Sequence, residues 1–379
     1  MKKIVYVVGG LLVPNGMSAV LSSKINYLAE HTEYELYMIL TEKAGQEWYY
    51  QINPKVKWVN FDINFDELDT MPLYKKLFFY QLKQRKYKRL FTDYLMDIRP
   101  DITVSTVRRE INFINDIKDG SRKIGEIHFN RTNYREFNKR WLPGFVNRFI
   151  TCQWVNNLIT QLKRLDRFVV LSEEDYHNWP EITNKIVIPN SLSYYPDFLS
   201  TCFNEKVIAV GRYTWQKGFD LLLRTWKLVH DKHPSWILNI YGSGERDEYI
   251  RQVHELGLSA VVNCHSAVNN IYEKYRESSV FVLSSRYEGF GLVIVEAMAA
   301  GLPIVSFDCP CGPSDIIRSG EDGLLVENGD IDKMADAICW MIEHPEERCQ
   351  YGKRARRNAM RFSQEEVMQQ WIQLFNSLV

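Results

Sequence analysis

The chain has 379 residues, 45% of them hydrophobic and 25% charged, an ordinary globular balance too long for one core and suited to two domains. Its 47 basic and 47 acidic residues cancel, which argues against a dedicated nucleic-acid binder. Seven cysteines, an odd number without a CxxC pair, point to free thiols in a reducing compartment, and no zinc-ligand spacing occurs.

The N-terminal MKKIVYVVGGLLVPNGMSAV joins two lysines to an apolar run. Gly9, Gly10, Pro14, Asn15 and Gly16 break that run and no small-residue cleavage site follows, so it reads as a strand (4–8) entering a glycine turn rather than a secretory signal. No run reaches the roughly eighteen apolar residues of a membrane span, and a cytoplasmic chain is expected. A helix from 17 or 18 to 30 and a strand at 35–40 complete a Rossmann-like start. GGLLVPNG is not GxGxxG, so a dinucleotide site is not indicated.

Residues 74–167 hold 21 Lys and Arg against 9 Asp and Glu, a net +12 in a neutral chain. Basic and aromatic residues interleave in YKKLFFYQLKQRKYKRLF (74–91) and RTNYREFNKRWLPGFVNRF (131–149). This pattern suits peripheral helices on an anionic bilayer, on the inner face of the membrane. The alternative is two amphipathic helices with a basic solvent face. Nucleic acid is not expected, because no recognition motif accompanies the charge.

Strands are predicted at 101–105 (DITVS) and 123–127, the second followed by His128, where a side chain points into the ligand crevice of an open α/β sheet. A purely structural histidine is the alternative. Further strands at 167–171 and 185–189 close a first domain, 1–190, and the irregular 191–204 reads as a linker. A second domain, 205–360, opens with a strand at 206–210 and the loop Gly211-Arg212…Lys217-Gly218…Asp220. Arg212 and Lys217 lie five apart, so a guanidinium fork and a compact ammonium can converge on a diphosphate; two solvated cations are the alternative. A strand at 236–241 leads to Gly242-Ser243-Gly244, and one at 262–265 to Ser266-Ala267-Val268.

The stretch 280–303, VFVLSSRYEGFGLVIVEAMAAGLP, reads as buried strand, glycine loop and helix, stopped by Gly301 and Pro303. Free N–H groups and the helix dipole at such a junction favour a phosphate. Glu288 and Glu296, seven residues between them, bracket the loop. A strand at 304–307, a segment at 323–326 and helices at 332–343 and 345–361 follow. The last helix, within 361–379, carries Trp371 and Phe375.

The Glu-x7-Glu loop–helix, with GFG and EAMAAGLP, resembles the retaining nucleotide-sugar glycosyltransferases of family 4. The GR…KG…D loop matches that family's pattern too. The resemblance implies an α/β fold of the GT-B type, with two Rossmann-like domains facing each other across a cleft. The first domain would bind acceptor and the second nucleotide sugar, with the C-terminal helix crossing back. Carried over residue by residue, Arg212 and Lys217 hold the diphosphate, with Gly211, Gly242, Gly289, Phe290, Gly291 and Leu292 around it. Glu296 takes the ribose diol, backbone near Val268 reads the base, and Glu288 holds the transferred sugar. Gly16 approaches the donor phosphates or the acceptor, a plain tight turn being the alternative, and His128 orients a sugar hydroxyl.

The implied function is transfer of a hexose or N-acetylhexosamine from a nucleoside-diphosphate sugar, UDP favoured, to a glycan or lipid-linked acceptor. Cell-surface polysaccharide, lipopolysaccharide and glycolipid synthesis are the implied settings. No metal or other cofactor is expected, because cations and N–H groups can carry the leaving charge and no DxD loop occurs. A glycosidase carboxylate pair fails on context, since a hydrolase needs no phosphate cradle. A UDP-sugar isomerase or epimerase and a non-catalytic nucleotide-sugar-binding module are the alternatives.

Overall fold

The computed structural model describes residues 1–12, 16–131 and 144–379. Short Val- and Ile-rich runs form parallel strands covered on both faces, and amphipathic helices cover them. The first sheet is built from β1 (Lys3–Val8), β2 (Glu35–Leu40), β3 (Lys57–Asn60), β4 (Ile102–Ser105), β5 (Arg122–Glu126), β6 (Arg167–Val170) and β7 (Lys185–Val187). Its helices are α1 (Gly16–His31), α2 (Leu73–Ile98), α3 (Gly144–Lys163) and α4 (Glu173–Asn178). The strand order is β3-β2-β1-β4-β5-β6-β7, all parallel, so the winding reverses between β1 and β4.

The second sheet comprises β8 (Lys206–Val210), β9 (Ile237–Gly242), β10 (Val262–Ser266), β11 (Val280–Leu283), β12 (Ile304–Asp308) and β13 (Gly323–Glu327). Its helices are α5 (Phe219–Lys232), α6 (Asp247–Glu255), α7 (Ile271–Arg276), α8 (Leu292–Ala299), α9 (Pro313–Ile316), α10 (Ile331–Glu343) and α11 (Pro345–Ala359). The order β10-β9-β8-β11-β12-β13 is again all parallel, and here the winding reverses between β8 and β11. In such sheets ligands bind beyond the carboxyl ends of the strands at the point of reversal. Both sheets therefore carry a site-forming junction.

Two compact units result: Met1–Ser193 with Val367–Val379, and Tyr194–Glu366. Residues 194–203 lack regular structure yet are tied into the second unit. Ser200 N donates to Ala300 O (2.9 Å), Arg348 Nε to Cys202 O (2.8 Å) and Arg356 Nη2 to Pro196 O (2.7 Å).

Alternation along β1 sends Val5 and Val7 to one face of the first sheet, against Phe91, Leu95, Leu162 and Trp179. Ile4, Tyr6 and Val8 face the other way, against Leu21, Ile25 and Leu28 of α1. The same layer holds Val367, Met368, Trp371, Leu374 and Phe375 of α12 (Gln364–Leu378), the last helix of the chain. β3 is an edge strand without the apolar run of its neighbours; Trp58 on it is 56% exposed, and sequence reading misses it. Part of GGLLVPNG (13–15) and of the second basic-aromatic stretch (132–143) lies outside the described residues. Among the described residues no helix is long and apolar enough to cross a membrane.

Trp371 fills a fully buried site in the α1 layer. Trp371→Ala is expected to destabilise the first unit by about 3–5 kcal/mol, read as a lower urea midpoint at unchanged slope.

Candidate functional site

The second unit concentrates the predicted residues at its sheet reversal. β8 ends at Val210, and a loop with one short helical turn, Trp215–Lys217, leads to Gly218 and α5. β11 ends at Leu283, and its loop runs to Gly291 and α8. These two loops are stitched together by backbone and side chains. Arg286 N donates to Gln216 O (2.8 Å), Gln216 Nε2 to Tyr287 O (3.0 Å) and Ser284 Oγ to Lys217 O (2.9 Å). Arg286 also clamps Asp220 through two parallel bonds (2.8 and 2.7 Å) and donates to Trp215 O (2.6 Å). A fork of this kind fixes direction as well as distance.

The stitching delivers Lys217 Nζ to 2.6 Å from Glu288 Oε1, with both side chains largely buried. Ser285 Oγ donates to the same oxygen at 2.6 Å. Arg212, in the same loop, is exposed and makes no side-chain hydrogen bond or ion pair among the described residues. Gly211 leaves room for Lys217: a Cβ there would stand 3.1 Å from the lysine chain. Gly242, at the end of β9, has no space for a Cβ beside the Gly211 carbonyl. Gly289 and Phe290 form the loop before α8, Phe290 buried edge-on to Phe362 at a ring separation of 5.6 Å.

Gly291 caps α8 in the left-handed region (φ 89°) with no side chain to bond the first turn, which Leu292 opens. Ile294 N donates to Gly291 O (2.8 Å), while the N–H groups of Gly291 and Leu292 before it keep their capacity for an anion. Glu296, one turn on, meets no cation among the described residues; Tyr275 donates its hydroxyl to Oε2 at 3.2 Å. Burial raises its carboxyl to about 7, against the smaller opposing effect of that hydrogen bond. Val268 follows β10 and is 39% exposed. Nearby, Tyr241 and His265 stack at 4.4 Å.

In the first unit Gly16 is the exposed first residue of α1, one residue earlier than the predicted helix start. His128 follows β5 as expected, with its side chain only 6% exposed. Its Nε2 lies 3.2 Å from Glu126 Oε1, although neither ring nitrogen completes a hydrogen bond among the described residues. Sequence reading did not find Ser285, Tyr275 or the partnership of Arg286 with Asp220. Residues 66 apart give no pairwise signal in one sequence. Lys24 was discoverable: it interrupts the apolar face Leu21, Ile25, Leu28 of α1.

Two parallel α/β units wound in this way constitute a GT-B fold. TarM of S. aureus, crystallised as a point mutant in complex with Fondaparinux, alpha-GlcNAc-glycerol and UDP, has a TM-score of 0.76 at 18% identity, covering 99% of this chain and 100% of that one. Residues 204–358, most of the second unit, match the family described as Glycosyl transferases group 1. The chain is also similar to an uncharacterised glycosyltransferase of Haemophilus influenzae, 34% identical over 54% of this chain and 60% of that protein. A poly(ribitol-phosphate) alpha-N-acetylglucosaminyltransferase of Staphylococcus aureus is 30% identical over 68% of this chain and 51% of that protein. The chain thus matches between half and two thirds of the length of these curated relatives.

Gly218 tests the stitched loops. It lies at φ +61° with the Ser284 carbonyl filling the place of a Cβ, whereas Gly257, at φ +70°, faces open space. Gly257→Ala is expected to cost about 1–2 kcal/mol, the left-handed penalty alone. Gly218→Ala is expected to cost more than that and to disorder the Lys217 loop, seen in thermal unfolding and in amide exchange of residues 212–220.

Proposed function

We propose that this chain is a retaining glycosyltransferase that moves a hexose or N-acetylhexosamine from a nucleoside-diphosphate sugar to a glycan acceptor. The observation that carries the reading is the Lys217–Glu288 pair at the β8–β11 reversal, beside the uncapped start of α8. Breaking the bond from the anomeric carbon to the diphosphate puts negative charge on phosphate and positive charge on sugar. Lys217, Arg212 and the N–H groups of Gly291 and Leu292 stabilise the leaving phosphate, the kind of preorganised electrostatics that lowers barriers most. As phosphate takes Lys217, Glu288 is released to accept hydrogen bonds from hydroxyls of the sugar. The acceptor hydroxyl attacks the face from which the diphosphate leaves, and the phosphate takes its proton.

Glu296 accepts both ribose hydroxyls, backbone at Val268 reads the base edge, and Gly211, Gly242, Gly289 and Phe290 shape the floor. His128 orients a sugar hydroxyl, and Gly16 borders the approach to the first sheet. Uridine is the favoured nucleoside: the family resemblance favours it, and TarM, which shares the fold, was crystallised with UDP. The names of the curated relatives support a cell-surface glycan as acceptor, one transferring N-acetylglucosamine to poly(ribitol phosphate).

A second feature bears on where the acceptor resides. α2 exposes Tyr74, Leu77, Phe78 and Leu82 among Lys75, Lys76, Arg85 and Arg89, and α3 exposes Phe145 and Phe149 beside Arg148. We infer peripheral binding to an anionic bilayer through these faces. In a vesicle sedimentation assay, the protein is expected to pellet with phosphatidylglycerol-containing but not pure phosphatidylcholine vesicles. Leu77→Asp with Phe78→Asp is expected to abolish this; equal pelleting by the variant would overturn the reading.

Calorimetric titration with UDP, GDP and ADP, without and with magnesium, tests the donor site. UDP is expected to bind, with Lys217→Ala weakening it tenfold or more. A carboxyl at about 7 must ionise to accept two ribose hydroxyls, so affinity should rise with pH through 7, with proton release below it. Glu296→Gln should flatten that profile. Binding of none of the three nucleotides would sink the transferase reading.

A further inference from the structure

On the face of the first sheet that carries α1 and α12, three ionisable side chains meet almost wholly buried. Glu126 ends β5, and Ile127 N still donates to Val169 O at 3.1 Å, so the backbone stays extended to His128. Residues two apart on extended chain project to the same side, which brings His128 Nε2 to 3.2 Å from Glu126 Oε1. Lys24 of α1 donates to that same oxygen. The three side chains are 3%, 1% and 6% exposed for Lys24, Glu126 and His128. Trp371 of α12 closes the group, its ring 3.7 Å from the Lys24 ammonium. Tyr6 of β1 also faces Glu126, with its buried hydroxyl unpartnered among the described residues.

The arrangement is costly as a mere filler. A buried ion pair rarely stabilises more than apolar residues of the same shape would. Glu126 Oε2 and both ring nitrogens of His128 are left without a hydrogen bond among the described residues. Buried polar atoms in that state ask for an explanation. We propose that Glu126 is the positioning residue of His128: its carboxylate, anchored by Lys24 beneath Trp371, takes the Nε2–H and leaves Nδ1 as the ring's bare, hydrogen-bond-accepting nitrogen.

Burial alone would raise the Glu126 carboxyl, but the Lys24 ammonium leads the opposing influences and the carboxyl lies below its usual range. It therefore remains an acceptor throughout the neutral range. Lys24 supplies the counter-charge that lets an ionised carboxylate sit here. A small rotation of the ring brings Nε2–H into line with Oε1. The His128 ring is then fixed in tautomer as well as in direction.

The inference rests on the transferase reading for the role of His128, so its test has an arm that needs no activity. Nitrogen chemical shifts of the histidines in 15N-labelled protein, assigned with His128→Asn, report the tautomer. The wild type is expected to show Nε2 protonated and Nδ1 bare. Glu126→Gln is expected to lose that preference. It should also lower kcat for sugar transfer by on the order of tenfold or more, as for other misdirected imidazoles, with nucleotide affinity unchanged. Because Glu126→Gln strands a buried lysine, Lys24→Met with Glu126→Gln is measured beside it; this pair is expected to fold and to show the same two changes. Unchanged tautomer, or unchanged kcat in a folded double variant, would overturn the proposal. A wild type that transfers no sugar from any donor would count against the transferase reading, while the nitrogen shifts would still decide the positioning geometry.

Discussion

The second unit depends on backbone meeting backbone at its sheet reversal. Side chains are absent where the Gly242 Cα abuts the Gly211 carbonyl, Gly218 the Ser284 carbonyl and Gly312 the Phe290 carbonyl. Each contact draws the end of one strand loop onto another with nothing between them. Lys217 can then reach Glu288 across neighbouring strands, and α8 can begin at a residue with no side chain of its own. The chemistry-bearing residues are few and replaceable in kind. The steric exclusion that lets them converge is more demanding, because a single methyl group would occupy the volume of a carbonyl oxygen.

Within this frame the two carboxylates of the Glu-x7-Glu stretch occupy opposite environments. Glu288 faces an ammonium and a hydroxyl at hydrogen-bonding distance. Glu296 has a tyrosine hydroxyl and, among the described residues, no cation, and burial raises it. One position is electrically compensated before any ligand arrives; the other awaits a group that can donate to it. This difference suits a ligand with a charged centre flanked by neutral diols. It does not suit a pair of acids sharing one proton.

Much of this was legible in the chain. Apolar runs of parallel-strand type, several of them entering a glycine turn and a helix, were readable as two parallel α/β halves, though the strand order within each sheet was not. The loops 211–220 and 284–291 were each readable from their own glycine punctuation. What was not readable is contact between distant residues: the fork of Arg286 on Asp220, the hydroxyl of Tyr275 on Glu296 and the carboxylate of Glu126 beside His128. Strand β3 escaped because an exposed edge need not be apolar. Lys24 left a trace, a charge at a core position of an apolar helix, but its partner lies on another element.

The layer that α12 completes has a consequence for how the chain is made. The face of α1 bearing Leu21, Lys24 and Ile25 is covered by Trp371 and Phe375, which emerge only after the 173 residues of Tyr194–Glu366. At ribosomal rates of about 5–20 residues per second that interval is roughly 9–35 s. The second unit is contiguous and can fold as it appears, while the first holds an open apolar trough and an unroofed lysine. During elongation the half that begins first finishes last, and its exposed trough is the surface for chaperones to shield.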